Sequence, residues 1–558
     1  MCNPYESPTV GPNVSAYIME VSDTWSKMHF RQSAMAQDQD VYSYYYHYLL
    51  LAAILVLPLL LLLKRRHGGE TNLPPGPWRL PVIGSMHHLV GALPHRAMRD
   101  IARRLGAPLM LLRLGELSVV VASSAAAAKA VMRTHDAALA TRPMTATIRA
   151  LTRDGLGVVF APQGEHWRQI RKLCVTELLS ARRVRVLRGS REAEAAALVA
   201  SVAALSSASE PVNVSSLIAT YVTDAAVRAV VGDQIGSRDA FLECLDEGVK
   251  VAAGFSLADL FPSSRLARAF SNTARRAELH SAKMNRVMDG VLEEHRARRS
   301  STGGAGDEEE DLLDVLLRLQ TDGGLHVPLE TGTIRAVITD LFGAGSETSA
   351  TTLQWAMAEL MREPGALRRA QAEVRGAFAG ESRVREESLP ELRYLQLVIK
   401  ETLRLHPAVP LLVPRECQEP CRVLGYDVPV GAMVLVNAWA IGRDVKSWGA
   451  DAEEFRPERF EEAGNSAVDF RGTDFELVPF GAGRRMCPGI ALGIAVMELA
   501  LASLLFHFDW ELPAGGAAPR ELDMTEAVGI TARRKGDLWL HATLRVPPNS
   551  RHMSICIR

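Results

Sequence analysis

Apolar positions are spread unevenly along this chain, and their spacing divides it. Residues 1–41 are polar and show no sustained apolar period, which predicts a disordered extension without a fold of its own. Residues 49–63 are then uninterrupted apolar chain apart from Pro58. Residues 109–114 and 117–122 are rich in branched apolar side chains around Gly115-Glu116, the pattern of two strands and a turn. Beyond them the repeat lengthens to that of a helix. Alanine-rich or periodic runs at 124–133, 190–205, 216–231, 239–256 and 265–298 carry helix-forming composition. Helices resume at 331–362 and 388–405, and short strands are expected within 422–436. A last helix follows from residue 490, with Ile490, Ile494, Met497, Leu501 and Leu504 or Leu505 along one apolar face. Strands scattered among many helices, without an internal repeat, predict a mainly α fold with small β-sheets (α+β), built as one domain over 82–545 and followed by a tail, 546–558.

The apolar run near the N-terminus changes this picture. Tyr42, Tyr44, Tyr45, Tyr46 and Tyr48 form an aromatic cluster of the kind that sits at headgroup level. A helix over 48–63 would be about 24 Å long. That is close to the roughly 27 Å of an endoplasmic-reticulum bilayer, with the tyrosines supplying the remainder. Lys64-Arg65-Arg66 follows in place of a small-residue cleavage site, so 42–63 reads as a single-pass transmembrane anchor rather than a signal peptide. Positive residues stay cytosolic, which puts residues 1–41 in the lumen and the body in the cytosol. Residues 64–81 form a basic stop and a proline-rich hinge, Leu73-Pro-Pro-Gly-Pro77 being stiff and extended.

Of the 558 residues, 47% are hydrophobic, enough to bury a large core. The formal net charge of −1 supplies no global field to recruit nucleic acid. Seven cysteines at irregular spacing argue for free thiols in a reducing compartment. Cys417 and Cys421 are four apart, but no second Cys or His pair follows at zinc-site spacing, so they read as structural.

The candidate chemistry centres on Pro479-Phe-Gly-Ala-Gly-Arg-Arg-Met-Cys-Pro-Gly489. Its glycines and prolines predict a tight loop that lets Cys487 approach something flat. The helix beginning at 490 places that cysteine near free N–H groups and a positive dipole end, which favour a thiolate. A lone cysteine is more often a small buried hydrophobe. The complete pattern Phe480-x-x-Gly483-x-Arg485-x-Cys487-x-Gly489, however, resembles the haem-binding loop of cytochrome P-450 enzymes, and the match extends over about 73–545, best to plant microsomal members of the A type. The resemblance implies the cytochrome P-450 fold and haem b. Cys487 would be the axial thiolate, Phe480 would pack on the loop, and Gly483 and Gly489 would let amides approach the sulfur. Trp167, Arg171, Arg415 and Arg485 match the family's partners of the haem propionates.

Two further motifs carry the same resemblance. Within the helix at 331–362, Ala344-Gly-Ser-Glu-Thr-Ser349 looks like the family's oxygen-activation stretch, with Glu347 as acid and Thr348 as alcohol delivering protons into a site that excludes water. Taken alone, Thr348 would simply bond back to the Ala344 carbonyl. Gly345 in mid-helix predicts a local opening. Glu401 and Arg404 stand at i, i+3, and with Arg459 match the family's structural triad, expected to be buried and to fix the cysteine loop.

The implied protein is a monooxygenase of the endoplasmic-reticulum membrane that hydroxylates a small hydrophobic metabolite with O2. No nicotinamide or flavin fingerprint is present, so electrons would come from NADPH through a separate NADPH–cytochrome P-450 reductase, with cytochrome b5 as a second candidate donor. Wall stretches of the family map onto Ile148, Leu151, Val158, Val159, Phe160, Ile338, Phe342, Ala408, Val409, Leu411, Leu412, Val528 and Ile530, which suit a terpenoid, a diterpene included. The runner-up substrates are phenolics and fatty acids. A haem-thiolate isomerase or dehydratase would need neither O2 nor reductase, and such relatives typically lack the threonine and lengthen the cysteine loop. A non-catalytic haem sensor or carrier would not need an acid–alcohol pair.

Overall fold

The computed structural model describes residues 47–53, 56, 72–206, 210–232, 238–252, 256–302, 310–513, 518–527 and 529–548. The expected extension at 1–41, the tyrosines at 42–46, most of the apolar span, Lys64-Arg65-Arg66, Val528 and the end of the tail lie outside the described residues. The chain divides into two compact units, 1–71 and 72–558. In the first, residues 47–53 and 56 are helical.

The second unit is mainly helical. Its strands are β1 (Leu109–Leu114), β2 (Leu117–Ala122), β3 (Val212–Asn213), β4 (Arg415–Glu416), β5 (Cys421–Val423), β6 (Tyr426–Val428), β7 (Met433–Val436), β8 (Phe508–Glu511) and β9 (Trp539–Leu544). They form three small sheets, ordered β1-β2-β7-β4, β3-β9-β8 and β5-β6. β1 and β2 are antiparallel with Leu109 opposite Ala122, and β7 lies parallel to β2. At the β1–β2 turn Gly115 takes φ 60°, and a Cβ there would stand 2.6 Å from the Leu260 carbonyl oxygen, so only glycine fits. From residue 72 the proline-rich stretch is held against the sheets. The Leu111 N–H donates to the Pro75 carbonyl at 2.9 Å, and the Asp427 N–H to the Asn72 carbonyl at 2.7 Å.

The helices that build the site are α1 (Pro94–Leu105), α2 (Glu165–Leu173), α3 (Arg188–Ser206), α4 (Val214–Val231), α5 (Thr331–Arg362), α6 (Arg393–Leu405) and α7 (Ile490–His507). α5 runs through the middle and packs on α4, α6 and α7. Its C-terminal half, including Leu353, Ala356, Met357 and Leu360, is buried in the largest apolar cluster, while Ile334, Val337, Ile338 and Phe342 enter a second one. The helix is continuous through Gly345, so the expected local opening is absent from the backbone. The hydrogen-bond ladder absorbs the glycine, and Ser346 and Thr348 add hydroxyl bonds onto the Phe342 and Ala344 carbonyls.

Three other expectations shift. The run at 265–298 is two helices, Arg265–Phe270 and Thr273–Thr302, parted where Ser271 turns extended (φ −89°, ψ 108°). Serine and asparagine compete with the helix for backbone hydrogen bonds, and Ser271-Asn272 is such a pair. The run at 388–405 becomes helical only at Arg393, after a 3-10 turn over Glu386–Glu391 that contains Pro390. There the Glu373 carboxylate accepts the first free amides, those of Tyr394 and Leu395. Finally, α7 has no single apolar stripe, since nearly every residue from Val496 to His507 is buried. α3, α4, α5 and α6 flank it on several sides. α4 and α7 are each long and apolar enough to cross a membrane, yet 56% and 61% of them is buried inside the fold, which marks them as core helices.

Glu401, Arg404 and Arg459 meet in this core and are fully buried. Arg404 donates to both Glu401 oxygens at 2.7 and 2.8 Å, and Arg459 Nε donates to Oε1 at 2.8 Å. The remaining guanidinium protons go to the carbonyls of Gly442, Trp448, Asp451, Ala452 and Glu454. These bonds brace residues 442–459, and none of those described reaches the loop at 479–489. The connection to that loop is apolar. Leu397 of α6 packs in a cluster with Phe470, whose ring meets that of Phe480 edge-on at 5.3 Å. Glu401→Gln would leave two guanidiniums buried without their counter-charge, which should lower the unfolding free energy by about 3 kcal/mol or more. A urea midpoint equal to that of the wild type would show the carboxylate to be dispensable.

Candidate functional site

The loop before α7 is built on glycines that nothing else could replace. Gly481 and Gly483 take φ 68° and 69°, and a Cβ on Gly483 would stand 2.1 Å from the Met132 carbonyl oxygen. The turn closes with the Cys487 N–H donating to the Phe480 carbonyl at 3.0 Å. Gly489 caps α7 without a side chain to crowd the Cys487 sulfur. Burial pushes the Cys487 thiol up from its usual range, against the downward pull of the Gly489 amide and of Arg171. A cation at the sulfur, such as a metal ion, would favour the thiolate.

Beside this loop four guanidiniums converge. Arg485 donates to the carbonyls of Ala140 at 2.7 Å and Ala161 at 2.5 Å, and lies over the Trp167 ring at 4.0 Å. Trp167 in turn donates its indole N–H to the Val158 carbonyl. Arg415, in β4, pairs with Asp136 at 2.8 Å and donates to the Ala482 carbonyl at 2.9 Å. Arg171, on the last turn of α2, donates to the Met486 carbonyl. The fourth is Arg142, bonded to the carbonyls of Val159, Val413 and Pro414.

Burial, then the neighbouring Arg415 and Arg171, bring Arg485 down to about 9, with Asp136 opposing. Arg142 is depressed well below its usual range by burial and then by Arg485, Arg415 and Arg171. Among the described residues only Arg415 of the four pairs with a carboxylate, Asp136. Such an excess of buried positive charge suits a ligand carrying carboxylates, and the donor set beside Cys487 therefore fits a haem with its propionates.

Trp167, Arg171, Arg415, Arg485 and the Cys487 loop are thus gathered together, and Arg142 is the member that sequence reasoning missed. The signal was an arginine stranded after the apolar run Ala137–Ala140 and directly before a proline.

On α5, Thr348 Oγ1 donates to the Ala344 carbonyl at 2.7 Å. Glu347 accepts a hydrogen bond from Thr531 Oγ1 at 2.9 Å. A Cβ at Gly345 would meet no atom within 4 Å, so this face of the helix is open. α5 and α7 approach one another here, with the Ser349 hydroxyl 3.7 Å from where a Cβ on Gly493 would stand. One turn before Ala344, Asp340 accepts from the Val159 N–H at 2.9 Å, and a Cβ on Gly157 would collide with its carboxylate. Of the proposed wall residues, Ile338 and Phe342 are packed in the core, Phe342 edge-on to Phe241 at 5.0 Å, and Val158 and Ala408 are buried. Ile148, Leu151, Val159, Phe160, Val409, Leu411, Leu412 and Ile530 are half-buried.

Residues 74–539 match the family model described as Cytochrome P450. Among curated proteins, the chain is 48% identical over 482 residues to a dolabradiene monooxygenase of Zea mays, covering 86% of this chain and 94% of that one. It is 47% identical over 476 residues to a desmethyl-deoxy-podophyllotoxin synthase of Sinopodophyllum hexandrum, covering 85% and 92%. Among solved structures, a zebrafish cytochrome P450 with progesterone superposes with a TM-score of 0.67 at 25% identity, over 81% of this chain and 99% of that one.

The Asp340 latch generates a prediction. Burial lifts its carboxyl from 3.8 to about 6, against the Val159 and Val158 amides that pull it down. Between those values the folded protein keeps a proton that the unfolded chain releases, so this group's stabilisation is lost as pH rises toward 6 and is level above that. Asp340→Asn should remove the slope. Its unfolding free energy relative to wild type should rise by on the order of 2 kcal/mol from pH 4 to pH 7, read by urea unfolding at stepped pH. A difference independent of pH would show that Asp340 is not lifted.

Proposed function

Because the chain belongs to the cytochrome P450 family and is a monooxygenase of that family, we propose that it hydroxylates a terpenoid hydrocarbon, with Cys487 as the sulfur ligand of its haem. The observation that carries the cofactor assignment is the cluster of four guanidiniums beside the Cys487 loop, three of them buried and Arg171 half-buried. Arg171, Arg415, Arg485 and Arg142 would hold the propionates, and Trp167 would back Arg485. Phe480, Gly483 and Gly489 would shape the loop. When bound, the haem supplies the activation of O2 and the insertion of one oxygen atom into a C–H bond.

The chain's own residues then manage protons and water. Thr348 Oγ1, now bonded to Ala344, is free to turn and accept a proton from the Glu347 side, and Glu347 Oε recovers it from solvent. The overall reaction is RH + O2 + NADPH + H⁺ → ROH + H2O + NADP⁺, with electrons carried by NADPH–cytochrome P-450 reductase and cytochrome b5 as an auxiliary donor. Residues 42–63 would anchor the enzyme in the endoplasmic-reticulum membrane with 82–545 in the cytosol. Residues 1–41 would be a lumenal extension, 64–81 a basic stop and hinge, and 546–558 a tail.

The half-buried walls Ile148, Leu151, Val159, Phe160, Val409, Leu411, Leu412 and Ile530 offer apolar surface with no side-chain donor or acceptor. Orientation by shape suits a rigid hydrocarbon, a diterpene included. The diene in the name of one relative supports the same reading.

Two measurements test this. Cys487→Ser should abolish the strongly red-shifted absorption band of the reduced carbon-monoxide complex, and retention of that band at wild-type haem content would refute the ligand assignment. In binding titrations, sesquiterpene and diterpene hydrocarbons should give the spin shift of water displacement. A shift with phenolic or fatty acids but with no terpene would overturn the substrate class.

A further inference from the structure

The half-buried carboxylate of Glu347 has a partner that the reading above leaves unused. Thr531 is 6% exposed, and its hydroxyl donates to Glu347 Oε1 at 2.9 Å across a sequence separation of 184 residues. The hydroxyl is the donor in this bond, so its proton lies on Thr531 and points at Glu347.

The backbone around Thr531 is fixed on both sides of the turn that carries it. Ala527 donates to the Arg533 carbonyl and Lys535 to the Thr525 carbonyl, each at 2.8 Å, which closes a narrow turn. At the tip the Ala532 N–H donates to the Ala408 carbonyl at 2.9 Å, and the Ala532 carbonyl accepts the Trp355 indole N–H at 2.7 Å. Trp355 belongs to α5, the helix that carries Glu347, and it stacks on His406 at 4.1 Å with planes 6° apart. His406 is bonded in turn to Glu359 of α5 at 2.7 Å. Thr531 is therefore held in register with α5 by bonds one residue away. A glutamate side chain otherwise samples several rotamers, and a fixed donor selects one.

We infer that Thr531 is a positioning residue for proton delivery, its hydroxyl holding the Glu347 carboxylate in the rotamer from which it serves Thr348. The inference rests on the proposed role of Glu347. If the carboxylate swings away, electrons still arrive but protons reach the site late, and the outcome becomes O2 + NADPH + H⁺ → H2O2 + NADP⁺ in place of hydroxylation.

The test compares Thr531→Val, nearly isosteric but without the hydroxyl, and Thr531→Ser, which keeps it, with Glu347→Gln and Thr348→Ala. All are studied as haem-loaded full chain with reductase and dolabradiene as probe. Haem content and the spin-shift titration should be unchanged in Thr531→Val, while peroxide released per NADPH rises about tenfold, the worth of one hydrogen bond to a charged group. Thr531→Ser should restore the wild-type ratio. A readout free of turnover accompanies this. The Glu347 carboxylate stretch, located in the resting protein by infrared difference against Glu347→Gln, should shift in Thr531→Val and return in Thr531→Ser. Should Thr531→Val fail to take up haem, Thr531→Ala provides the same deletion with less bulk. If Glu347→Gln and Thr348→Ala uncouple but Thr531→Val does not, and the stretch stays in place, the inference falls while the reading of Glu347 stands. If Glu347→Gln stays coupled, both fall.

Discussion

The burial of positive charge beside the cysteine loop is the constraint on which the rest of the site depends. Taking a guanidinium out of water is costly, and four of them share this region with one described carboxylate. The fold meets part of that cost with carbonyls. Ala140, Val159, Ala161, Val413, Pro414, Ala482 and Met486 all turn their oxygens toward these arginines, so the chain segments that supply them are drawn to one place. What the carbonyls do not provide is net negative charge. A dicarboxylate cofactor would supply it, and the cluster is in any case a junction between segments.

The two arginine systems of this protein divide the work. Around Glu401 the guanidiniums of Arg404 and Arg459 close on a carboxylate and on the carbonyls of 442–459, and they are sealed from solvent. That assembly holds shape, and its influence on the cysteine loop passes through the Leu397, Phe470 and Phe480 contacts. Around Cys487 the arginines are bonded mostly to carbonyls, with one carboxylate among them. The loop at 157–161 joins this second system to α5, because Val159 donates to Asp340 while the Val158 and Val159 carbonyls serve Trp167 and Arg142. A change in how a substrate presses on that loop would therefore be felt at both the arginines and the helix.

Much of this was legible in the sequence where a local rule was unopposed. The glycines and prolines of 479–489 allow little besides a tight loop, and the apolar content of 331–362 made one long helix. The misses have physical causes. α7 offers almost no polar residue to define a solvent face, so a stripe was read where burial is nearly all-round. The helix backbone runs on through Gly345, and the opening lies beside it, where a Cβ would meet no atom within 4 Å. Arg142 and Thr531 find their partners far along the chain, Arg142 in Val413 and Pro414, Thr531 in Glu347. Neither pairing leaves a trace in local spacing.

The order in which the chain becomes available during synthesis follows from where α7 and β9 sit. β3 pairs Val212 with Leu540 of β9, and α3, α4, α5 and α6 all lean on a helix that begins only at Ile490. At translation speeds of about 10 residues per second, roughly half a minute separates the emergence of β3 from that of its partner. Until residues from Ile490 onward are made, the sides of α3, α4 and α5 that meet α7 lack that partner, and Cys487 itself is made only late in the interval. Such non-local closure makes for slow folding and a long exposure to aggregation.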